Sequence, residues 1–142
     1  MAEDIYTAVA TSTGEGRAGG RAVSDDGVLD LTLAVPTAMG GPGGGTNPEQ
    51  LFAAGWASCF HSALKGVAAA QKIKFTDSAV VAEVGIHPTE GGAFGLSAAL
   101  HVELAGVDQA TADQLVQAAH AVCPYSNATR GNVPVTVDAT IA

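Results

Sequence analysis

The chain has two cysteines, and the sequence around each of them is distinctive. Cys59 lies in the apolar run Asn-Pro-Glu-Gln-Leu-Phe-Ala-Ala-Gly-Trp-Ala-Ser-Cys-Phe-His, and Cys123 opens the polar turn Cys-Pro-Tyr-Ser-Asn-Ala-Thr-Arg-Gly-Asn. The N-terminus, Met-Ala-Glu-Asp, is acidic and no apolar segment follows it, so we expect a cytoplasmic protein. In a reducing cytosol a cysteine pair is more often catalytic, redox-sensing or metal-binding than structural.

Several chemistries are open for these sulfurs when the residues are considered alone. A lone cysteine in an apolar helix is often a small buried hydrophobe, which is the simplest interpretation of Cys59. If packing brings Cys59 and Cys123 together, an attacking thiolate and a resolving partner are available, as in thiol redox enzymes. A zinc site needs four close ligands, whereas Cys and His are scattered singly here. A cysteine–histidine hydrolase stays open, although neither cysteine has a local nucleophile motif.

A reactive thiolate in this setting needs a cation. Apolar surroundings raise the pKa of a thiol, so a positive neighbour is required to favour the charged form. His61 is two residues from Cys59, and a helix turns it to the other side. His120 precedes Cys123 by three residues and can share its face. The other candidates are Arg17, Arg21, Arg130 and Lys65.

Composition and charge exclude several classes of function. We interpret the 142 residues as a single domain, 1–142, with a real core. The net charge is −8 with only six Lys and Arg, so no patch for nucleic acid or for an acidic membrane surface is expected. No run reaches the ~18 apolar residues of a membrane span. An apolar share of 47% against 14% charged residues favours a buried interface between subunits.

The apolar pattern predicts an α+β fold in which antiparallel sheet wraps on two helices. Apolar alternation marks the strands, and the turn Thr-Glu-Gly-Gly joins two of them into a hairpin. Pro124 disfavours helical geometry at Cys123, so the second helix should end there. The predicted strands are about 5–11, 28–35, 79–87, 94–104 and 133–141, and the helices are 48–71 and about 109 or 111 to 122.

The first helix has the clearest local signals. Asn47 is a good N-cap, Pro48 suits the first helical position, and Gln50 stands where a capping box places it. The residues that follow are apolar nearly all round, which is typical of a central, buried helix. The preceding glycine-rich run, Met39 to Gly45, lacks the Gly-Lys-Ser/Thr of a phosphate loop, so we interpret it as a flexible connection.

Two segments resemble the signatures of a known family. Gly-Thr-Asn-Pro-Glu-Gln-Leu-Phe-Ala-Ala-Gly-Trp-Ala-Ser-Cys-Phe, Gly45 to Phe60, is similar to the first signature of the organic hydroperoxide resistance proteins of the Ohr/OsmC superfamily. Val-Cys-Pro-Tyr-Ser-Asn-Ala-Thr-Arg-Gly-Asn, Val122 to Asn132, resembles the second, which separates this subfamily from its OsmC relatives. The resemblance covers essentially the whole chain and implies an OsmC-like fold and an intertwined dimer.

The resemblance also implies roles for individual residues. Cys59 falls on the peroxidatic cysteine, Cys123 on the resolving one and Glu49 on the active-site glutamate. The arginine lies in the glycine-rich arm, where Arg17 in Gly-Arg-Ala-Gly matches best and Arg21 is the alternative. The implied reaction reduces organic hydroperoxides through a sulfenic acid and a Cys59–Cys123 disulfide. A dihydrolipoyl group on a partner protein, or lipoamide, recycles the disulfide, with no bound cofactor and no metal.

Helix spacing adds an expectation about the oligomer. Glu49 and Cys59 are ten residues apart on one predicted helix, which separates their Cα atoms by ~15 Å. We therefore predict a homodimer in which Arg17 and Glu49 serve the cysteines of the partner subunit. Two other functions stay open, namely an OsmC-like peroxidase of broader specificity and a non-catalytic, redox-sensing or ligand-binding dimer of the same fold.

Overall fold

The computed structural model describes residues 2–142 and has the α+β composition that the sequence predicts. It divides into two compact units, Met1–Leu51 and Phe52–Ala142. The prediction of a single domain over 1–142 stays a prediction. The strands are β1 (Ala10–Gly14), β2 (Gly20–Ser24), β3 (Asp30–Leu33), β4 (Asp77–Pro88), β5 (Phe94–Ala105) and β6 (Val135–Ile141), and the helices are α1 (Pro48–Ala70), α2 (Gln109–Val122) and α3 (Pro124–Thr129).

The N-terminal unit contains a three-stranded antiparallel sheet in the order β1-β2-β3. A short 3₁₀ turn, Gly16–Ala18, in the glycine-rich arm joins the first two strands. The predicted first strand, 5–11, is wrong in its bounds. Pairing starts at Ala10 opposite Ser24, where β2 ends in a turn, so residues 5–9 have no β2 residue opposite them.

The third strand is shorter and more exposed than its alternating leucines predict. It spans Asp30–Leu33 rather than 28–35, and in the single chain only Leu33 at its end is buried. Leu29 and Leu31 are each 36% exposed, and Val28 is 86% exposed. Among the alternating leucines, burial in the single chain is therefore confined to Leu33.

Helix α1 confirms the predicted range to within one residue. The Asn47 Oδ1 atom accepts a hydrogen bond from the Gln50 backbone N–H at 2.9 Å, which is the predicted N-cap. Gln50 does not complete the capping box, because its Oε1 atom accepts instead from the Thr46 hydroxyl at 2.8 Å. The cap is thus confirmed, while the side chain of Gln50 takes a different partner.

Burial along α1 is confined to one stripe. Trp56, Phe60, Leu64 and Ala68, spaced four apart, are buried, and the other residues of the helix are half-buried or exposed. In the single chain, the predicted central, buried helix is thus buried along this stripe, although its apolar residues extend nearly all round. The repeat of four places these residues on one side, as in a helix that packs against a single layer.

The C-terminal unit has a second three-stranded sheet, in the order β4-β5-β6. The predicted antiparallel hairpin of β4 and β5 is confirmed, with Val80 opposite Val102. The prediction of a wholly antiparallel sheet is wrong for β6, which pairs parallel to β5. The reason is the connection: α2 and α3 lie between β5 and β6, and a helical crossover returns the chain to the same end of the sheet.

One apolar core joins the sheet and helices of this unit. Asp108 caps α2 by accepting from the Thr111 N–H at 2.8 Å, and Cys123 has the extended conformation that the following proline favours. The core residues are the buried stripe of α1, Leu100, Val102 and Leu104 of β5, Ala112, Leu115, Val116 and Ala119 of α2, Cys123, and Ala139 of β6. Within residues 2–142, no helix combines the length and apolar character needed to cross a bilayer.

Candidate functional site

The C-terminal unit brings the two cysteines together. Cys59 lies in the middle of α1, and Cys123 occupies the joint at which α2 ends and α3 begins. Both are free thiols, and Cys59 packs against the core that contains Cys123, whose presence raises the pKa of Cys59. The joint forms because Pro124 starts α3 without needing a backbone donor, so the chain bends at Cys123 and turns its side chain into the core.

The electrostatic surroundings of Cys59 favour the neutral thiol. Burial raises the pKa of Cys59 above its ordinary value, and the neighbouring Cys123 raises this pKa further. The backbone N–H of Tyr125 acts in the opposite direction by hydrogen bonding to the Cys59 sulfur, which favours the thiolate and lowers the pKa. Because burial is the largest contribution, an additional positive charge is needed for Cys59 to ionise readily.

Cys59 opens onto an apolar cavity, whereas Cys123 is fully buried behind it. The cavity has a volume of about 350 Å³. Apart from the thiol of Cys59 and the hydroxyl of Ser62, the side chains that line it are small or apolar. The lining residues are Cys59, Ser62, Ala63, Gly66, Val67, Ala70, Val122 and Pro124. An apolar molecule that enters this cavity meets the sulfur of Cys59 and not that of Cys123.

Two glycines of α1 adjoin these groups. A Cβ added to Gly55, one turn before Cys59, would lie 3.1 Å from the ring and hydroxyl of Tyr125, so this ring packs on bare helix backbone. Phe52 contacts the same ring edge-on, with 6.2 Å between centroids. Gly66 lines the cavity, and a Cβ there would meet no atom within 4 Å. The absence of a side chain at Gly55 makes room for the Tyr125 ring, and its absence at Gly66 leaves the cavity open.

A buried hydrogen-bond network holds α3 in place. The Trp56 indole N–H donates to the Ser126 hydroxyl at 3.3 Å, and this hydroxyl lies 2.8 Å from Nδ1 of His120. The Arg130 guanidinium donates to the His120 carbonyl at 2.6 Å. Burial lowers the pKa of His120, and the charge of Arg130 lowers it further, so the neutral imidazole is favoured.

This network corrects one sequence-based interpretation. The spacing predicts that His120 can be a cation beside Cys123. In the structure its ring hydrogen-bonds Ser126 and its pKa is lowered, which disfavours the charged form. Ser126 and Trp56 lie seventy residues apart, so no local pattern could reveal their pairing. The only sequence signal is that a tryptophan and a serine accompany the two cysteine segments.

The N-terminal unit contains the second group of candidate residues. Arg17 in the 3₁₀ turn and Glu49 in the first turn of α1 form a bidentate pair, with both guanidinium nitrogens 2.7 Å from the two carboxylate oxygens. The Arg17 guanidinium lowers the pKa of Glu49. The other arginine of the arm, Arg21, pairs across the sheet with Asp30. Of the two candidates, Arg17 is therefore the one that contacts Glu49.

The remaining candidate cations have other partners. His61 hydrogen-bonds the Ser78 hydroxyl at 2.8 Å, and the ammonium of Lys65 lies 4.8 Å from the centre of the Phe75 ring. In the part of the chain that the structure describes, 2–142, no three His, Cys, Asp or Glu side chains form a cluster that could hold a metal ion.

Comparisons with known proteins agree with this architecture. Residues 41–138 match the family described as OsmC-like protein. The organic hydroperoxide resistance protein of Xanthomonas axonopodis pv. citri is 53% identical over 135 residues, which cover 94% of this chain and 93% of the relative. A crystal structure of an organic hydroperoxide resistance protein from Elizabethkingia anophelis has a TM-score of 0.94 at 44% identity and covers 99% of this chain and 100% of that one.

A second solved structure gives the same result. The organic hydroperoxide resistance protein OhrB of Bacillus subtilis has a TM-score of 0.86 at 46% sequence identity, covering 96% of this chain and 100% of that chain. The fold that the two cysteine signatures implied is thus confirmed. The chain belongs to the OsmC-like family, within its organic hydroperoxide resistance subfamily.

Proposed function

We propose that this protein detoxifies peroxides as a cysteine-based peroxidase that reduces organic hydroperoxides to alcohols. The observation that carries the proposal is the arrangement of the sulfurs, with Cys59 at an apolar cavity and Cys123 buried beside it. Relatives at 53% and 47% identity are named organic hydroperoxide resistance proteins, which supports a role in peroxide detoxification. The cavity favours alkyl or lipid peroxides over hydrogen peroxide, because an apolar substituent gains from leaving water there.

The first step is nucleophilic attack by Cys59. Its thiolate takes the distal oxygen of the hydroperoxide, an S–O bond forms and the O–O bond breaks. The alkoxide leaves with the electron pair of that bond and becomes an alcohol on taking a proton. Cys59 is then a sulfenic acid, oxidised by two electrons.

The second step uses the buried sulfur. Cys123 attacks the sulfenic sulfur of Cys59, an S–S bond forms, and the S–O bond breaks with release of water. A dithiol of the dihydrolipoyl type then reduces the disulfide, and its own two sulfurs become the oxidised pair. This sequence needs no bound cofactor, because all electrons come from the dithiol.

Arg17 and Glu49 provide the charge that the surroundings of Cys59 lack. A guanidinium keeps its charge in any protein environment, and its bidentate carboxylate partner fixes its orientation. We propose that this pair acts on the cysteines of a partner subunit in a homodimer, since ten residues of helix separate Glu49 from Cys59.

The test is turnover of purified protein with cumene hydroperoxide, coupled to lipoamide and its reductase. Wild type should turn over faster with cumene hydroperoxide than with hydrogen peroxide. Cys59→Ser should be inactive, and Cys123→Ser should react once and stop with Cys59 as a sulfenic or over-oxidised acid, visible by mass spectrometry. The same assay with thioredoxin as reductant serves as the control for the identity of the dithiol.

Two results would contradict the proposal in different ways. Equal rates on hydrogen peroxide and cumene hydroperoxide would indicate an OsmC-like peroxidase of broader specificity. Wild-type turnover by the Cys59→Ser protein would remove the cysteine mechanism and leave a sensing or ligand-binding dimer.

A further inference from the structure

The lysines of this acidic chain gather at one place that the proposed reaction does not use. Lys65, Lys72 and Lys74 line a single depression at the end of α1. They are half of the six Lys and Arg in a protein of net charge −8.

The floor of this lysine groove is apolar. The groove has a volume of about 650 Å³ and, besides the lysines, is lined by Ala68, Ala69, Ile73 and Phe75. Lys65 lies over the face of the Phe75 ring, which keeps its ammonium beside the apolar floor. The volume is within the range of roughly 300–1,000 Å³ that is usual for small-molecule sites.

Among residues 2–142, the charges of the groove have no anionic partner. Arg17 pairs with Glu49, and Arg21 pairs with Asp30. Across residues 2–142, none of the three lysines forms a salt bridge or a side-chain hydrogen bond to a carboxylate. Three lysines that line one groove with an apolar floor are therefore available to an external anion.

Lys72 has a backbone conformation that a residue with a side chain adopts only with conformational strain. Lys72 has φ 57°, the only positive φ of a non-glycine residue between 2 and 142. It follows the end of α1 in a Schellman motif, with the Ile73 N–H bonded to the Ala68 carbonyl and the Lys72 N–H to the Ala69 carbonyl. Glycine is the usual residue at this position, because a side chain strains the left-handed conformation. A strained residue of this kind points to a function for its side chain.

We propose that the lysine groove binds a free amphipathic carboxylate, that is, a carboxylic acid with an unbranched alkyl chain. The ammonium groups pair with the carboxylate, and the chain lies on the apolar floor. A protein partner fits less well, because the groove has seven lining residues, whereas a standard protein interface has roughly 20–30 residues on each side.

This groove is distinct from the cavity at Cys59. The two have no lining residue in common. Ala69 lines the groove and Ala70 lines the cavity, and consecutive helical residues point about 100° apart. The proposal therefore does not rest on the peroxidase chemistry.

The experiment is calorimetric titration of the full-length protein with decanoate, with decanamide as the uncharged analogue. Decanoate should bind and decanamide should not, and high salt should weaken the binding. In the double variant Lys72→Gln/Lys74→Gln, Kd for decanoate should rise about tenfold, as expected for the loss of two exposed charge pairs. The matched control Lys72→Arg/Lys74→Arg keeps the charges and should keep the affinity.

Three outcomes would overturn the proposal. The first is unchanged affinity in the glutamine variant, and the second is loss of decanoate binding on filling the other cavity by Ala63→Phe while the lysines are intact. The third is no binding of decanoate to wild type together with a smaller oligomer for the glutamine variant in sedimentation, which would make the groove a contact between subunits. Peroxidase turnover of both double variants should equal wild type, so failure here is separable from failure of the peroxidase mechanism.

Discussion

The cysteine pair and the arginine–glutamate pair are held by different kinds of structure. Cys123 and the residues around Cys59 belong to a core in which helices and a sheet bury one another. Arg17 is held by two hydrogen bonds to Glu49, and among residues 2–51 the only buried hydrophobic side chains are Leu33 and Ala34. The sulfurs are thus positioned by packing, and the guanidinium by an ion pair at the tip of a hairpin.

The difference matters for how the site can work. A close-packed core keeps two sulfurs in register, because side chains there have few alternative positions. An ion pair between a hairpin tip and a helix end, with side chains 34% and 15% exposed, has fewer neighbours that fix its position than a core side chain has. We therefore expect that changes in the C-terminal unit alter stability, and that changes in the N-terminal unit alter activity.

The largest expected contrast is in stability. Leu64→Ala removes a fully buried side chain of α1 and should lower the free energy of unfolding by about 2–5 kcal/mol. Val28→Ala in the N-terminal unit removes a side chain that is 86% exposed and should cost less than about 0.5 kcal/mol. Urea unfolding at one protein concentration measures both. A similar cost for the two variants would indicate that a second subunit covers Val28.

The next contrast is in activity. Arg17→Gln should lower kcat/KM for cumene hydroperoxide on the order of a hundredfold, about 2.7 kcal/mol, because the Cys59 thiolate loses its stabilising charge. Its melting temperature should stay close to that of wild type. Arg21→Gln breaks the pair with Asp30 only and should keep nearly full activity.

Mixing two inactive variants tests which subunit supplies Arg17. After subunit exchange between Arg17→Gln and Cys59→Ser, half of the dimers are mixed and each has one complete site if Arg17 acts across the interface. Activity should then recover to about a quarter of wild type, as a symmetric dimer requires. No recovery, with exchange verified by native mass spectrometry, would place Arg17 and Cys59 of one subunit in the same site.

A smaller effect is expected at the buried network beside the cysteines. Ser126→Ala leaves the Trp56 N–H and the His120 ring without their partner and should cost about 1–3 kcal/mol. The exposed Ser58→Ala on α1 is the matched control and should be neutral or slightly stabilising. If both variants melt together, the network does not hold α3.

The smallest expected effect is a pH dependence of opposite sign at two histidines. His120 has a lowered pKa in the folded protein, so its contribution is complete above the unfolded value of about 6.5 and declines as pH falls. His101 is bonded to Asp138 and Glu83, which raise its pKa, so its contribution is complete below that value and is lost as pH rises through the folded pKa.

Melting temperatures between pH 5 and 8 separate these two contributions. His120→Gln should reduce the loss of stability toward acid, and His101→Gln should reduce the loss toward neutral and higher pH. Parallel curves for wild type and either variant would show that the histidine concerned does not titrate on unfolding.

Local patterns predicted more of the structure than long-range ones did. The N-cap at Asn47, the range of α1 and the hairpin of β4 and β5 all follow from residues close in sequence, and they are confirmed. The parallel pairing of β6 was missed, because alternation reveals a strand and not its direction. The sequence predicts a turn where α3 forms, because six residues are too few to show the apolar periodicity of a helix.

The candidate site divides in the same way. The pairing of Arg17 rather than Arg21 with Glu49 could be expected only from the resemblance, since a glycine-rich arm has no periodicity. The Trp56–Ser126 contact depends on tertiary packing, and no local sequence pattern predicts it. The roles of Cys59, Cys123, Arg17 and Glu49 in a reaction stay predictions that the variants above test.

The two glycines of α1 have a consequence for attempts to make this protein more heat-stable. Alanine in place of a helical glycine usually adds up to about 1 kcal/mol, so both positions invite replacement. At Gly55 the new methyl group would press on the Tyr125 ring and shift the amide that bonds Cys59. At Gly66 it would fit without a clash but would occupy the cavity in front of the sulfur. Stabilising the helix with alanine would thus impair the surroundings of Cys59 in two ways. At Gly55 it would move the Tyr125 amide away from the sulfur, and at Gly66 it would narrow the cavity that leads to the sulfur.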